Sequence, residues 1–140
     1  TAAKLGATQS NFVNPSGYPD ENHYTTIYDM YLIFNEALKY DTVNEIISMT
    51  SYDTVYTDKN GNEKTLSVKN TNQYLAGNVA APDRVTVIGG KTGTTSAAGN
   101  CLILLARDTS GNPYIAVILK SAERGILYTE MNALLKQATS

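Results

Sequence analysis

The 140-residue sequence has no tryptophan, one histidine and one cysteine. A single cysteine, Cys101, excludes an internal disulfide and a cysteine-rich zinc site. The lone His23 argues against a histidine-based metal centre, and nothing else in the sequence calls for a metal or a cofactor. Charge of one sign is also scarce: a net charge of −2 gives no broad basic face, which argues against nucleic acid as a partner. No apolar run approaches the ~20 residues of a membrane span. The opening TAAKLGATQS has neither the charged start nor the apolar centre of a signal peptide. What is present, 42% hydrophobic and 17% charged residues, is the composition of one globular domain able to bury a core. Cys101 stands before LILLA and reads as a buried structural thiol.

TAAKLGA has the composition of the last turns of a helix, with Gly6 at its C-terminal end, so that helix is expected to begin before residue 1. Asn11 to His23 is rich in turn residues (Asn-Pro, Ser-Gly, Pro-Asp) and predicts a loop with fixed bends. Ile27, Met30, Tyr31, Phe34 and Leu38 then recur at helical spacing, and Thr26 with Asp29 forms a capping-box pattern at the start. Thr42 and Glu45 repeat that pattern before a short helix through Ile46, Ile47 and Met49. Tyr28, Tyr31 and Tyr40 are expected to pack in the core and at its rim.

YDTVYTDKNGNEKTLSV predicts a hairpin turning at Asn60-Gly61. KNTNQYLAGN reads as a short helical turn or loop. RVTVIGGKT, CLILLARD and PYIAVILK predict three strands, the last two so continuously apolar that both faces should be covered. The chain closes on an amphipathic helix through Ile126, Leu127, Met131, Leu134 and Leu135.

The chemistry concentrates in GGKTGTTSAAGN, Gly89 to Asn100. A phosphate-binding P-loop is excluded, because Val85 stands where that motif needs its first glycine and no helix pattern follows Lys91-Thr92. A plain hairpin with a solvated lysine is the simplest alternative, and Lys-Thr-Gly arises by chance in roughly 3% of chains this long. The third reading is the K-T-G element of penicillin-recognising serine enzymes. On a strand, Lys91 and Gly93 share one face and Thr92 takes the other. Lys91 then offers a fixed charge to a substrate carboxylate, a neighbouring hydroxyl adds a hydrogen bond, and Gly93 leaves room along the strand edge. The Thr94 amide can donate to a developing oxyanion.

The match extends well beyond the tripeptide. F-V-N-P-S-G, then His23-Tyr24, a helix carrying Asp29, N-T-N at Asn70 to Asn72, and K-T-G followed by Ala98-Gly99 occur in one order. In this the sequence resembles the second half of the low-molecular-mass D-alanyl-D-alanine carboxypeptidases. Class A β-lactamases share K-T-G-type elements, but F-V-N-P-S-G and N-T-N favour the carboxypeptidases. The resemblance implies an α/β (α+β) chain, part of the penicillin-binding or β-lactamase-like transpeptidase fold. An antiparallel sheet would carry packed helices, with the N-terminal strands and helix absent. Residues 1–140 would form the C-terminal portion of the catalytic domain, with a helical and hairpin part over 1–83 and three strands plus a helix over 84–140. It also implies a serine peptidase of the bacterial cell envelope that trims D-alanine from peptidoglycan stem peptides through an acyl-enzyme and binds β-lactams. Lys91, Thr92, Gly93 and Thr94 would line the substrate strand, with Lys91 the catalytic-motif residue present.

Two of that family's three motifs are missing. No Ser-x-x-Lys occurs, so the chain holds neither nucleophile nor base. Ser110-Gly111-Asn112 follows the K-T-G element instead of preceding it and reads as a turn between two strands. The expectation is a severed enzyme, inactive alone, or alternatively a non-catalytic module that binds peptidoglycan or a partner. In either case the 114–120 strand would present an open edge, inviting the missing N-terminal segment, strand exchange or a homodimer.

Overall fold

The structure is a computed structural model and describes residues 1–138. A 3₁₀ turn over Ala2–Leu5 ends at Gly6, whose left-handed backbone (φ 83°) closes it as the sequence predicts. Helices α1 (Ile27–Ala37) and α2 (Asp41–Ser48) follow, then strands β1 (Ser51–Thr57) and β2 (Glu63–Lys69) as a separate two-stranded sheet. Strands β3 (Val85–Thr95), β4 (Gly99–Asp108) and β5 (Pro113–Ser121) form an antiparallel sheet in that order, and α3 (Arg124–Ala138) closes the described chain.

The fold is organised about β4. Leu102 to Ala106 are all buried, five consecutive residues on a strand whose side chains alternate faces. Leu102, Leu104 and Ala106 pack with Ala116 against Leu127, Tyr128, Met131 and Leu135 of α3. On the opposite face Ile103 and Leu105 pack with Val117 against Phe34 of α1, and Ile47 of α2 packs beside them. Continuous apolar strands are thus covered on both sides, as expected. The Ser110-Gly111-Asn112 triplet is the β4–β5 turn, with Gly111 at φ 83°.

Helix α1 starts where the sequence places it: the Thr26 side chain accepts the Asp29 amide at 3.1 Å. Helix α2 does not. It begins at Asp41 after Tyr40, which makes no side-chain cap, so Thr42 lies inside the helix and the Thr42–Glu45 pattern caps nothing. Two packing expectations also fail. Tyr28 and Tyr31 are exposed because α1 turns Asp29 and Phe34 inward, and Tyr40, at the start of α2, is exposed as well. In α3 the inward stripe runs through Leu127, Tyr128, Met131 and Leu135, which rotates Ile126 and Leu134 toward solvent.

The first two glycines of GGKTG are packing residues. A Cβ on Gly89 would stand 2.4 Å from the Ile47 carbonyl oxygen, and one on Gly90 2.3 Å from that of Ile103. Pairing skips Ile88, a bulge that re-aims the strand just before them. What approaches the backbone there is the protein itself.

Candidate active site

Beyond Gly90 the strand opens. Strand β3 pairs only with β4 among the described residues, so no strand covers its outer edge. The register sets Lys91 opposite Ile103, Thr92 opposite Leu102, Gly93 opposite Cys101 and Thr94 opposite Asn100. Opposed residues share a face, so Lys91 and Gly93 lie on the α1 side and Thr92 and Thr94 on the α3 side. Gly93 is unlike its neighbours: a Cβ there would find nothing nearer than Cys101 Cβ at 4.0 Å.

Two cavities meet at this segment. One, of about 500 Å³, is lined by Lys91 to Thr95 with Ser16, Gly17, Thr71, Arg124 and Tyr128. The other, about 300 Å³ and apolar, lies between Lys91, Thr92 and Gly93 and the α1 residues Met30 and Phe34. The larger cleft has two cations, Lys91 and Arg124, several hydroxyls, and no carboxylate among its lining residues. That composition suits an anion small enough to sit between two positive groups. The Lys91 ammonium is folded back onto the carbonyl oxygen of Thr92.

The remaining wall is assembled from distant segments. Asn70 donates to the Met49 carbonyl at 2.7 Å and accepts the Asn72 amide at 2.9 Å, which fixes the exit from β2. The segment then presents Thr71, whose hydroxyl shares a 2.5 Å hydrogen bond with that of Thr92. Behind it the Gln73 amide donates to the Tyr128 hydroxyl at 3.0 Å, and the Tyr74 hydroxyl donates to Asn132 at 2.8 Å. The Tyr74 and Tyr128 rings meet edge to face at 5.2 Å. Burial, with Tyr128 beside it, holds the Tyr74 phenol above its ordinary pKa, so it remains a donor.

Ser16 and Gly17 arrive on the loop that F-V-N-P-S-G encodes. Asn11 and Tyr24 bridge its ends, and Asn14 Oδ1 accepts from the Gly17 and Tyr18 amides and the Ser16 hydroxyl. His23 fastens the same loop by accepting the Val13 amide at Nδ1, 3.1 Å. Ser16, Gly17, Thr71 and Arg124 were not among the site residues expected from sequence. F-V-N-P-S-G and N-T-N were signals for the first three, while Arg124 has no motif around it.

Cys101 corrects an expectation. It is half-buried, not buried, because the residue across from it is Gly93, which has no side chain to cover it. Its Sγ accepts the Lys120 amide at 3.4 Å and donates to the Ala98 carbonyl at 3.5 Å.

Comparison with known proteins places the sequence and the fold. The chain is 33% identical over 136 residues to the D-alanyl-D-alanine carboxypeptidase DacF of Bacillus subtilis, covering 93% of this chain and 31% of that protein. The fold matches a DD-transpeptidase from Streptomyces with a TM-score of 0.83 at 25% identity, over 96% of this chain and 49% of that one. It also matches a D-alanyl-D-alanine carboxypeptidase structure from Mycobacterium tuberculosis, with a TM-score of 0.77 at 22% identity, over 98% and 49% of the two chains. The chain therefore spans a third to a half of the length of these relatives. The model of the peptidase S11 family, D-alanyl-D-alanine carboxypeptidase, matches residues 1–123. With the family model matching most of the sequence and the fold in agreement, the chain belongs to the D-alanyl-D-alanine carboxypeptidase family.

Proposed function

We propose that this chain forms the carboxylate-binding side of a serine-type D-alanyl-D-alanine carboxypeptidase site that acts on peptidoglycan stem peptides in the bacterial cell envelope. The observation that carries the reading is the cleft along the free edge of β3, with Lys91 and Arg124 and no acidic lining residue. A peptide lying along that edge can pair with the exposed backbone of Lys91 to Thr94, and Gly93 leaves room for it to lie flat. Lys91 and Arg124 neutralise the terminal carboxylate, and the Thr92 hydroxyl orients it. The Thr94 amide donates to the oxygen that becomes negative when the scissile carbonyl is attacked. Attack by a serine releases D-alanine and leaves an acyl-enzyme, which water then hydrolyses. β-Lactams acylate the same serine.

That serine and its lysine base belong to the part of the protein that the relatives have and this chain does not span. The outer edge of β5, Tyr114 to Lys120, is where strands of that part pair, and in the isolated chain the same edge recruits a second copy. Light scattering that stays monomeric at high concentration would remove the self-pairing.

Intact-mass spectrometry tests the catalytic reading. The 140-residue chain keeps its mass after excess benzylpenicillin. A longer protein carrying it together with a Ser-x-x-Lys segment gains one drug mass. Lys91→Ala slows that acylation by roughly 100-fold or more. Drug addition to the short chain, or undiminished acylation in Lys91→Ala, would overturn the assignment.

A further inference from the structure

The cleft along β3 has a neighbour at its far end. Where β3 turns into β4 lies a second cavity, of about 380 Å³. Gly17, Thr95 and Ala98 line both cavities, so the two are contiguous. Their charges are opposite. Lys91 and Arg124 stand in the first with no carboxylate, whereas Asp20 and Glu21 stand in the second with no lysine or arginine. Among the described residues no ion pair joins one set to the other.

The two carboxylates are available to a ligand. Both residues are exposed, and the one hydrogen bond to the Asp20 side chain is the Asn22 amide on Oδ1, at 2.8 Å. His23 also lines the cavity, but its Nδ1 is committed to the Val13 amide. The loop that carries them is held at its ends by the Asn11–Tyr24 bridge, so the acids stand at a set place beside the strand.

The direction of the substrate decides what meets them. With the terminal carboxylate at Lys91 and the attacked carbonyl at the Thr94 amide, the peptide runs on toward its N-terminus past Thr95. The residue before the attacked one then lies ~3.4 Å further along, at the mouth of the second cavity. An ammonium on a flexible four-carbon stem can reach Asp20 and Glu21 from there. A peptide negative at its end and positive at this residue complements both cavities at once. We propose that the Asp20–Glu21 cavity is a specificity pocket for an amine-bearing side chain on the residue that precedes the attacked D-alanine. The pocket favours stem peptides whose side-chain amine is free over those in which it has been acylated. The assignment rests on the carboxypeptidase reading and deepens it.

The test titrates the isotope-labelled chain with Nα-acetyl-L-lysyl-D-alanyl-D-alanine, and with the same peptide acetylated at Nε as well, and follows backbone NMR signals. Both peptides should shift Lys91 to Thr94. The free amine should bind roughly three-fold more tightly and should also move Asp20, Glu21 and Thr95. Asp20→Asn with Glu21→Gln keeps the oxygen that accepts the Asn22 amide, and should make the two peptides bind alike. Asp53→Asn with Glu63→Gln removes the same charge from the outer hairpin and should leave the preference intact. Equal binding of the two peptides by the unaltered chain would overturn the pocket and leave the cleft standing. So would a preference that survives in the Asp20 and Glu21 double variant. No shift at Lys91 to Thr94 with either peptide would overturn the cleft reading, and the pocket with it.

Discussion

The molecule contains two hairpins closed by nearly the same turn. In Asp58-Lys59-Asn60-Gly61-Asn62 and Asp108-Thr109-Ser110-Gly111-Asn112, the aspartate Oδ1 accepts the amides two and four residues on. Gly61 and Gly111 both adopt left-handed backbone, at φ 84° and 83°. Yet β4–β5 is buried on both faces and β1–β2 on neither. Turn chemistry is local and sets where a chain reverses. The side chains of the arms decide whether the hairpin becomes core or stands in water. The same comparison accounts for Ser110-Gly111-Asn112 as a turn, since its hydrogen bonds to Asp108 are those of the Asp58 turn.

The largest expected contrast lies in the arms. Leu104→Ala empties a fully buried position and should cost about 2–5 kcal/mol, whereas Leu66→Ala on the open hairpin should cost under ~1 kcal/mol. Urea unfolding of both variants checks this, and equal losses would mean that the outer hairpin is core. Next, Gly90→Ala forces a Cβ into the Ile103 carbonyl and should destabilise by about 1–3 kcal/mol, while Gly93→Ala should leave stability within ~0.5 kcal/mol. Gly93→Ala should still impair any ligand lying on the strand edge.

A smaller effect separates the turns themselves. Alanine at Gly111 or Gly61 meets no atom within 4 Å, so each bears only the left-handed backbone cost of about 1–2 kcal/mol. In Gly111→Ala this should register in global unfolding. In Gly61→Ala it should appear mainly as faster amide exchange confined to β1 and β2.

The smallest effect is electrostatic. Hydrogen bonds from Asn112 hold the Asp108 carboxyl below its ordinary value, as those from Asn62 and Asn60 do for Asp58. A depressed carboxylate stabilises above its unfolded-state pKa, and that contribution fades as pH falls through the folded one. Both turns should therefore loosen only below about pH 4. Side-chain carboxyl NMR titration would show it, and an ordinary midpoint at either aspartate would contradict the turn geometry.

What was legible in the sequence follows the same division. The Thr26 cap, the Asn60-Gly61 turn and the three sheet strands were readable because their causes lie within a few residues. Thr42 misled because a capping-box spelling says nothing about where the preceding turn ends, and Tyr40 starts the helix instead. Ile126 and Leu134 misled because two apolar stripes compete on α3 and tertiary packing chose the one with Tyr128. Of the candidate site, Lys91 to Thr94 could be named from their motif. Arg124 could not, since only the fold of β5 back along β4 brings the start of α3 to the end of β3.

Tyr128 lines the cleft with its body while its hydroxyl and ring secure the 71–79 segment to α3. Thr71, at the head of that segment, is in turn pinned to Thr92. Strand, segment and helix are thus linked in series, Thr92 to Thr71 and Gln73 to Tyr128. The spacing of the cleft walls is set by two hydrogen bonds and one ring contact. A change at any one of these three contacts would therefore be felt at two walls of the cleft at once, so Tyr128→Phe should disturb Thr71 and Thr92 although it touches neither.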